Sequence, residues 1–299
     1  MRMTPTAELE SRIGNLQTEL ASHDMDAALI VQNADLFYFT GSIQQGVLYV
    51  PVEGAPLYLV RKDSQRARME SGLKEVVPLS SSRSLPGLLA DFGLPGPGRL
   101  GMELDVLPVA VCRRFEKVLS EATVLDASPL IRTVRSVKSK YEIGIMRDAA
   151  IQVNKVYERA REVIREGMSD LELAAELEYT ARREGHQGIT RMRGFNSELF
   201  YGHVFSGPDS AVPAYLDAPL GGVGLNPSIG QGASYKTIRA NEPICVDFAG
   251  AFDGYLSDQT RIFCIGGLPE QLVEAYQDMV AIQSRMLEIA VPGASWGRV

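Results

Sequence analysis

Val-Asp-Phe-Ala-Gly-Ala-Phe-Asp-Gly-Tyr-Leu-Ser-Asp-Gln-Thr-Arg, residues 246–261, decides how this chain is read. Asp253-Gly254 is a hairpin signal between two strand-like runs, 244–250 and 255–265. A two-residue loop at 253–254 pairs Phe252 with Tyr255 and Ala249 with Asp258, and leaves Asp247 two residues along on the same face. A four-residue loop at 251–254 pairs Asp247 with Asp258 directly. In either register both carboxylates point to one side, within reach of a common point. An odd-length loop without a bulge would separate them. The flanks Ile244, Val246, Phe248, Leu256, Ile262, Phe263 and Ile265 predict that both strands are buried. Two like charges in an apolar ribbon repel and lose hydration, which one or two bound divalent cations would offset. The competing reading, two solvent-facing acids on an exposed hairpin, fits those flanks poorly.

The chain has 299 residues, 45% of them hydrophobic and 22% charged, enough for two domains. A net charge of −7 argues against a broad nucleic-acid-binding surface. No apolar run approaches the roughly 18 residues of a membrane span, and the polar first residues do not read as a signal peptide. Cys112, Cys245 and Cys264 are odd in number and widely spaced, which fits neither a disulfide framework nor a zinc knuckle. Cys245 and Cys264 read as buried structural thiols, and a reducing, cytoplasmic compartment is expected.

Outward from the ribbon, periodicity predicts an amphipathic helix at 6–22 with Leu9, Ile13, Leu16 and Leu20 on one stripe. Strands are expected at 27–31, 46–51, 56–60, 74–78, 99–102 and 122–125, with helices near 62–70 and 108–120 and a turn at Asn33-Ala34-Asp35. This alternation implies an α/β domain over 1–134. Residues 130–139 read as a connector. A long helix is predicted at 139–165, and a second opens at Ser169 with Glu172 completing a capping box. Strands are expected at 189–194 and 202–206, and a helix at 270–289. The intervening 207–235, rich in Gly, Pro, Ser and Ala, is a long loop of the kind that is functional or mobile.

The chain resembles the creatinase, prolidase and aminopeptidase P family, the "pita-bread" metallohydrolases. The N-terminal similarity lies in Asp26-Ala-Ala-Leu-Ile30, Asp35-Leu-Phe-Tyr-Phe-Thr-Gly41 and Gly101-Met-Glu103. Leu130-Ile-Arg-Thr-Val-Arg-Ser-Val-Lys138, with Glu142 and Ala149, resembles the entry to the catalytic domain, and 247–266 resembles the first metal-ligand motif. The implied fold class is α/β (α+β), a creatinase-like N-terminal α/β domain at 1–134 followed by a partial pita-bread domain at 135–299. The resemblance implies two carboxylate-bridged divalent ions (Mn, Co or Zn), Asp247 chelating one and Asp258 bridging both. It further implies hydrolysis of an amide by a hydroxide held between them.

Two departures qualify what is expected of function. The family's remaining ligands, one His and two Glu, lie downstream of this motif and do not occur before Val299, so residues 1–299 alone are expected to turn over little substrate. The histidine that peptidase members place before the first metal Asp falls at Ala214 in one alignment and near Gly230 in another. His203, in Tyr201-Gly202-His203-Val204, is a candidate proton shuttle, weighed against a hydrogen-bonded strand histidine. His186 reads as a helix-end residue. Arg191 and Arg193 read as solvated strand charges in preference to a substrate-carboxylate contact, and Arg261 as a local partner of an acid. The expected activity is cleavage of a C–N bond, a peptide bond with Xaa-Pro as one candidate, in a small peptide or small-molecule amide by a homodimer. The alternatives are a creatinase-like amidinohydrolase and a non-catalytic binding module.

Overall fold

The computed structural model describes residues 2–194, 196–216 and 220–299. Two compact units are present. The first holds Met1–Arg147, Thr190–Leu199 and Asp253–Tyr255, and the second Asp148–Ile189, Phe200–Phe252 and Leu256–Val299.

The first unit is built on a six-stranded sheet, β1 (Ala27–Ile30), β2 (Gly46–Pro51), β3 (Leu57–Val60), β4 (Val76–Pro78), β5 (Arg99–Met102) and β6 (Thr123–Asp126). Their spatial order is β4-β3-β2-β1-β5-β6. Only β2 runs antiparallel to its neighbours; β1 with β5, β5 with β6 and β3 with β4 are parallel. Alternation along each strand feeds two cores. Ala28, Ile30, Leu48, Val50, Tyr58 and Val60 pack with Ile13, Leu16 and Leu20 of α1 (Thr6–Ser22). Ala27, Leu29, Tyr49, Leu57 and Leu59 pack with Leu85 and Leu89 of α4 (Leu85–Asp91) and Phe115 of α5 (Val109–Val118).

Two stretches expected to be irregular are helical. Asn33–Thr40 is a helix, α2, because Gln32 Oε1 accepts the Ala34 and Asp35 N–H groups as an N-cap, and not the expected turn. The expected connector contains α6, Ser128–Ser136, opened by Pro129 in its first turn and anchored by Leu130, Ile131 and Val134. Between these in sequence lies α3, Ser64–Glu70.

In the second unit α7 (Lys140–Val163, from Asp148 onward) and α8 (Asp170–Arg183) pack on a sheet of β7 (Gly202–Ser206), β8 (Ile244–Phe252) and β9 (Tyr255–Phe263), in the order β7-β8-β9. Ser169 and Glu172 form the expected capping box at the start of α8. Val204, Ile244, Val246 and Phe248 share a core with Val153, Val156 and Ala160 of α7 and Leu173 and Leu177 of α8. The contact is close at Gly250, where an added Cβ would lie 2.2 Å from the Ala149 carbonyl oxygen. Residues 189–194 form no strand.

The hairpin is a two-residue reversal. Asp253 and Gly254 have φ of 44° and 83°, the positive pair of a type I′ turn, so the four-residue alternative does not form. The turn residues belong with the first unit, where Gly254 sits against Phe37: a Cβ there would come within 2.4 Å of the ring. Burial of the strands departs from expectation. β8 is buried, but no residue of β9 is, and Ile262 is 41% exposed. β7 and β9 are the two edges of the sheet, but only β7 is covered, by the glycine-rich stretch that closes on His203 and Phe205. α9 (Glu270–Ile289), at the expected place, has no buried residue either.

Within the first unit Glu103 is fully buried and accepts the Val31 and Gln32 N–H groups, with Asp35 beside it. Burial, and then the charge of Asp35, pushes its carboxyl from the ordinary 4.5 up to about 8. A carboxyl that holds its proton only when folded stabilises the fold fully below its unfolded pKa, and the effect is lost as pH rises through the folded pKa. Stability is therefore expected to fall between pH 4.5 and about 8. Urea midpoints measured across that range should show the slope, and Glu103→Gln, which keeps an acceptor without titrating, should flatten it. Gly250→Val forces α7 away from β8 and should cost about 2–4 kcal/mol, read as a lowered urea midpoint.

Candidate metal centre

β8 presents two faces of opposite character. Val246 and Phe248 face the α7–α8 core, and so Cys245, Asp247 and Ala249 lie on the other side. Antiparallel pairing sets His203 of β7 directly opposite Asp247 and Phe205 opposite Cys245. On the other flank the two-residue turn sets Asp247 opposite Thr260 and Ala249 opposite Asp258. The Thr260 hydroxyl donates to Asp247 Oδ1 at 2.5 Å, as that register requires. His203, Asp247 and Asp258 thus share one face of the three-stranded sheet.

Their surroundings differ. Asp247 is half-buried, and burial, followed by the negative charge of Asp258, raises its carboxyl above the ordinary carboxylate range, while the Thr260 hydroxyl pulls it back. Asp258 is exposed on the edge strand. Burial pushes the neighbouring Cys245 thiol up to about 12, which leaves it protonated and inert. Cys264 is only partly buried, short of what the sequence suggested.

His203 is 6% exposed, and its Nδ1 is buried without a hydrogen-bond partner. The hydrogen-bonded strand histidine weighed above does not describe it. Burial holds the imidazole below its ordinary pKa, so it is neutral near pH 7. The glycine-rich stretch lies over it: a Cβ on Gly232 would fall 2.7 Å from His203 Nδ1, and one on Gly222 would fall 3.0 Å from the Phe205 ring. Backbone bonds from Gly222 N–H to Val212 O, Gly232 N–H to Gly221 O and Gly224 N–H to Gly232 O fold this segment on itself. Of the 207–235 stretch, residues 217–219 lie outside the described residues.

His186 lies just past the end of α8, as the sequence suggested, and its ring braces β8. It is 1% exposed, its Nδ1 accepts the Gly188 N–H, and its Nε2 donates to the Ala249 carbonyl at 3.1 Å. Arg191 and Arg193 are not solvated strand charges. Arg193 Nε binds Asp35 Oδ2 at 2.8 Å and its Nη1 pairs with Asp105, within the first unit. Arg135 pairs with the other oxygen of Asp35. This buried network was missed, although the sequence held a signal: Asp35 is the lone acid in an otherwise apolar helix. Among the described residues Arg261 pairs with no acid; it bonds the Thr260 carbonyl and Gln259 Oε1 and lies over the Tyr157 ring at 5.3 Å.

The donors on the ribbon face suit a divalent cation in kind but not in number. Asp247 and Asp258 offer carboxylate oxygens whose mutual repulsion a cation would relieve, and the unpartnered His203 Nδ1 points to an unmet interaction on the same face. Yet no cluster of three or more His, Cys, Asp or Glu side chains able to hold a metal occurs among the described residues. No described helix is long and apolar enough to cross a membrane.

A creatinase-like α/β unit followed by a helix-backed sheet with an acidic hairpin defines a pita-bread hydrolase fold. The Creatinase/Prolidase N-terminal domain family matches residues 12–137, and Metallopeptidase family M24 matches residues 144–299. The chain belongs to metallopeptidase family M24. It is 27% identical over 273 residues to an Xaa-Pro dipeptidase of Pyrococcus horikoshii, covering 91% of this chain and 69% of that protein. It is 26% identical over 287 residues to the Xaa-Pro dipeptidase of Pyrococcus furiosus, covering 95% and 73%. Among solved structures, an Xaa-Pro dipeptidase from Bacillus anthracis superposes with TM-score 0.74 at 22% identity, over 90% of this chain and 68% of that one. The prolidase from Pyrococcus horikoshii OT3 superposes with TM-score 0.73 at 23% identity, over 92% and 71%. At these identities the structural likeness speaks for the fold.

The His203 environment has a direct check. Its imidazole should titrate below the ordinary 6.5 in an NMR pH series, and its contribution to stability should be lost as pH falls below that value. A midpoint at or above 6.5 would contradict its burial.

Proposed function

We propose that this chain carries the carboxylate ribbon of a metal-dependent peptidase acting on small peptides, with Xaa-Pro dipeptides as the favoured class. The single observation that supports this most is the common face of Asp247, Asp258 and His203 on the β7-β8-β9 sheet. The names of the Pyrococcus relatives point to the same substrate class.

In this reading Asp247 and Asp258 would supply two of the carboxylate ligands of a divalent-metal site that needs further donors, and manganese would suit an oxygen-rich set. Ions bound there supply positive charge that polarises a scissile amide. Asp247 is held in orientation by the Thr260 hydroxyl, and its strand by the backbone pairing to β7 and by His186. His203, neutral in its buried setting, would take a proton from the attacking water and return it to the leaving amine. It thereby fills the part that Ala214 and Gly230 have no side chain to play. The covering glycines restrict water around that imidazole.

Further parts of the proposal are a division between residues 134 and 135, a cytoplasmic location in keeping with three free thiols, and a homodimer. Two carboxylates leave most coordination positions open, so we also propose that residues 1–299 alone turn over little substrate.

The test uses the longest natural form of the protein against a panel of Xaa-Pro dipeptides, with metal content measured in parallel. Chelator-sensitive hydrolysis is expected, with Asp258→Ala and Asp247→Ala each lowering kcat/KM by about 1,000-fold or more. His203→Gln should lower kcat by about 100-fold while leaving metal content intact. Full activity in Asp258→Ala would reject the reading; chelator-insensitive cleavage of an amidino substrate would favour the creatinase-like alternative.

A further inference from the structure

We propose that the first unit contains a second binding site, separate from the acidic ribbon, for a small phosphorylated organic molecule. A cavity of about 690 Å³ opens at one edge of the six-stranded sheet. The edge is set by topology. β1, β3 and β4 end there, and β2 begins there because it alone runs the other way. The cavity is lined by Val31 just after β1, Arg61 and Lys62 just after β3, and Ser81 and Ser82 beyond β4. In open α/β sheets the crevice beyond the carboxyl ends of the strands, where strand direction or order switches, is where ligands bind. The volume lies within the range of small-molecule sites, about 300–1,000 Å³.

The lining says what the ligand is. Arg61, Lys62 and Arg114 all face the cavity, and no Asp or Glu does. None of the three side chains has a carboxylate or hydrogen-bond partner among the described residues. Elsewhere in this unit Arg135 and Arg193 are paired with Asp35 and Arg132 with Asp105, while Arg83 and Arg113 are, like these three, without a carboxylate among the described residues. In a chain of net charge −7, three unpaired cations around one concavity form a local positive patch that an anion would complement. Three cations match the charge of a phosphate monoester better than that of a single carboxylate, which one arginine satisfies. The hydroxyls of Ser81 and Ser82 add donors.

The rest of the wall is mixed: Asn33, Gln44 and Gln45 add amide groups, and one side of it is apolar. Val111, Arg114 and Phe115 lie at positions i, i+3 and i+4 of α5, so one helix face presents a cation flanked by hydrophobic surface. Val47, Leu79 and Phe115 are buried side chains that close the floor. Such a wall accommodates an organic body attached to the phosphate, so inorganic phosphate alone fills the site poorly.

The test titrates adenosine 5′-monophosphate into the full chain at low ionic strength, with calorimetry and thermal shift as readouts, and compares inorganic phosphate and adenosine. Saturable binding of the nucleotide is expected, tighter than that of inorganic phosphate, with no binding of adenosine. Arg61→Ala and Arg114→Ala should each weaken it by about tenfold or more. Both arginines are exposed, so circular dichroism should show the fold intact. Asp247→Asn should bind the nucleotide as the unmodified chain does, which separates this site from the ribbon. Absence of saturable nucleotide binding, equal affinity in the arginine variants, or loss of binding in Asp247→Asn would each overturn the proposal.

Discussion

The reversal at Asp253-Gly254 is the constraint on which the ribbon depends. Two consecutive residues at positive φ close the hairpin in two residues, and nothing longer intervenes. Because side chains alternate with a period of two, that count alone decides that Asp247 and Asp258 emerge on one face. One residue more would have sent them to opposite faces. Gly254 is required twice over, for its φ of 83° and for the space that Phe37 leaves it. β8 then serves two purposes along one strand. Val246 and Phe248 secure it to the helices, and the intervening Asp247 is carried, with no choice of its own, onto the face that also bears His203.

Most buried charge and polarity among the described residues is answered, the exceptions being His203 Nδ1, Arg191 Nη1, Arg193 Nη2 and Ser210 Oγ. Asp35 is met by Arg135 and Arg193. Asp170 accepts the Ser206 hydroxyl, which in turn accepts from Lys236, itself paired with Glu242. His186 has a partner at each ring nitrogen. Arg12 spans Glu8, the Tyr38 carbonyl and the Tyr255 hydroxyl. Set beside these, the bare Nδ1 of His203 and the mutual repulsion of Asp247 and Asp258 mark the ribbon face as built for something it must bind. The unpaired Arg61, Lys62 and Arg114 mark a second such place, at the edge of the other sheet.

Local signals that satisfy backbone groups were legible in advance. The Ser169–Glu172 capping box and the apolar stripe of α1 occur where periodicity placed them. α2 escaped because it is apolar nearly all round, so no stripe stands out, and its cap is Gln32, a residue with weak N-cap statistics. α6 escaped because Arg132, Thr133 and Arg135 interrupt a short pattern that only Leu130, Ile131 and Val134 anchor. The alternating Arg191 and Arg193 imitated a strand; in the fold Arg193 is held instead by two acids 158 and 88 residues away in the chain.

The sequence by itself determined the turn, the strand pair and the facing of the two acids, because these follow from φ preferences and a period of two over fewer than 20 residues. It also carried the order of elements and the family motif. Only the tertiary structure decided that β8 is buried while β9 is an exposed edge, since burial depends on which strands and helices lie alongside. It decided, too, that His203 stands opposite Asp247 and that a sheet edge gathers Arg61, Lys62 and Arg114. Those groups meet only through pairings between segments distant in sequence, and no local pattern of residues encodes such a meeting.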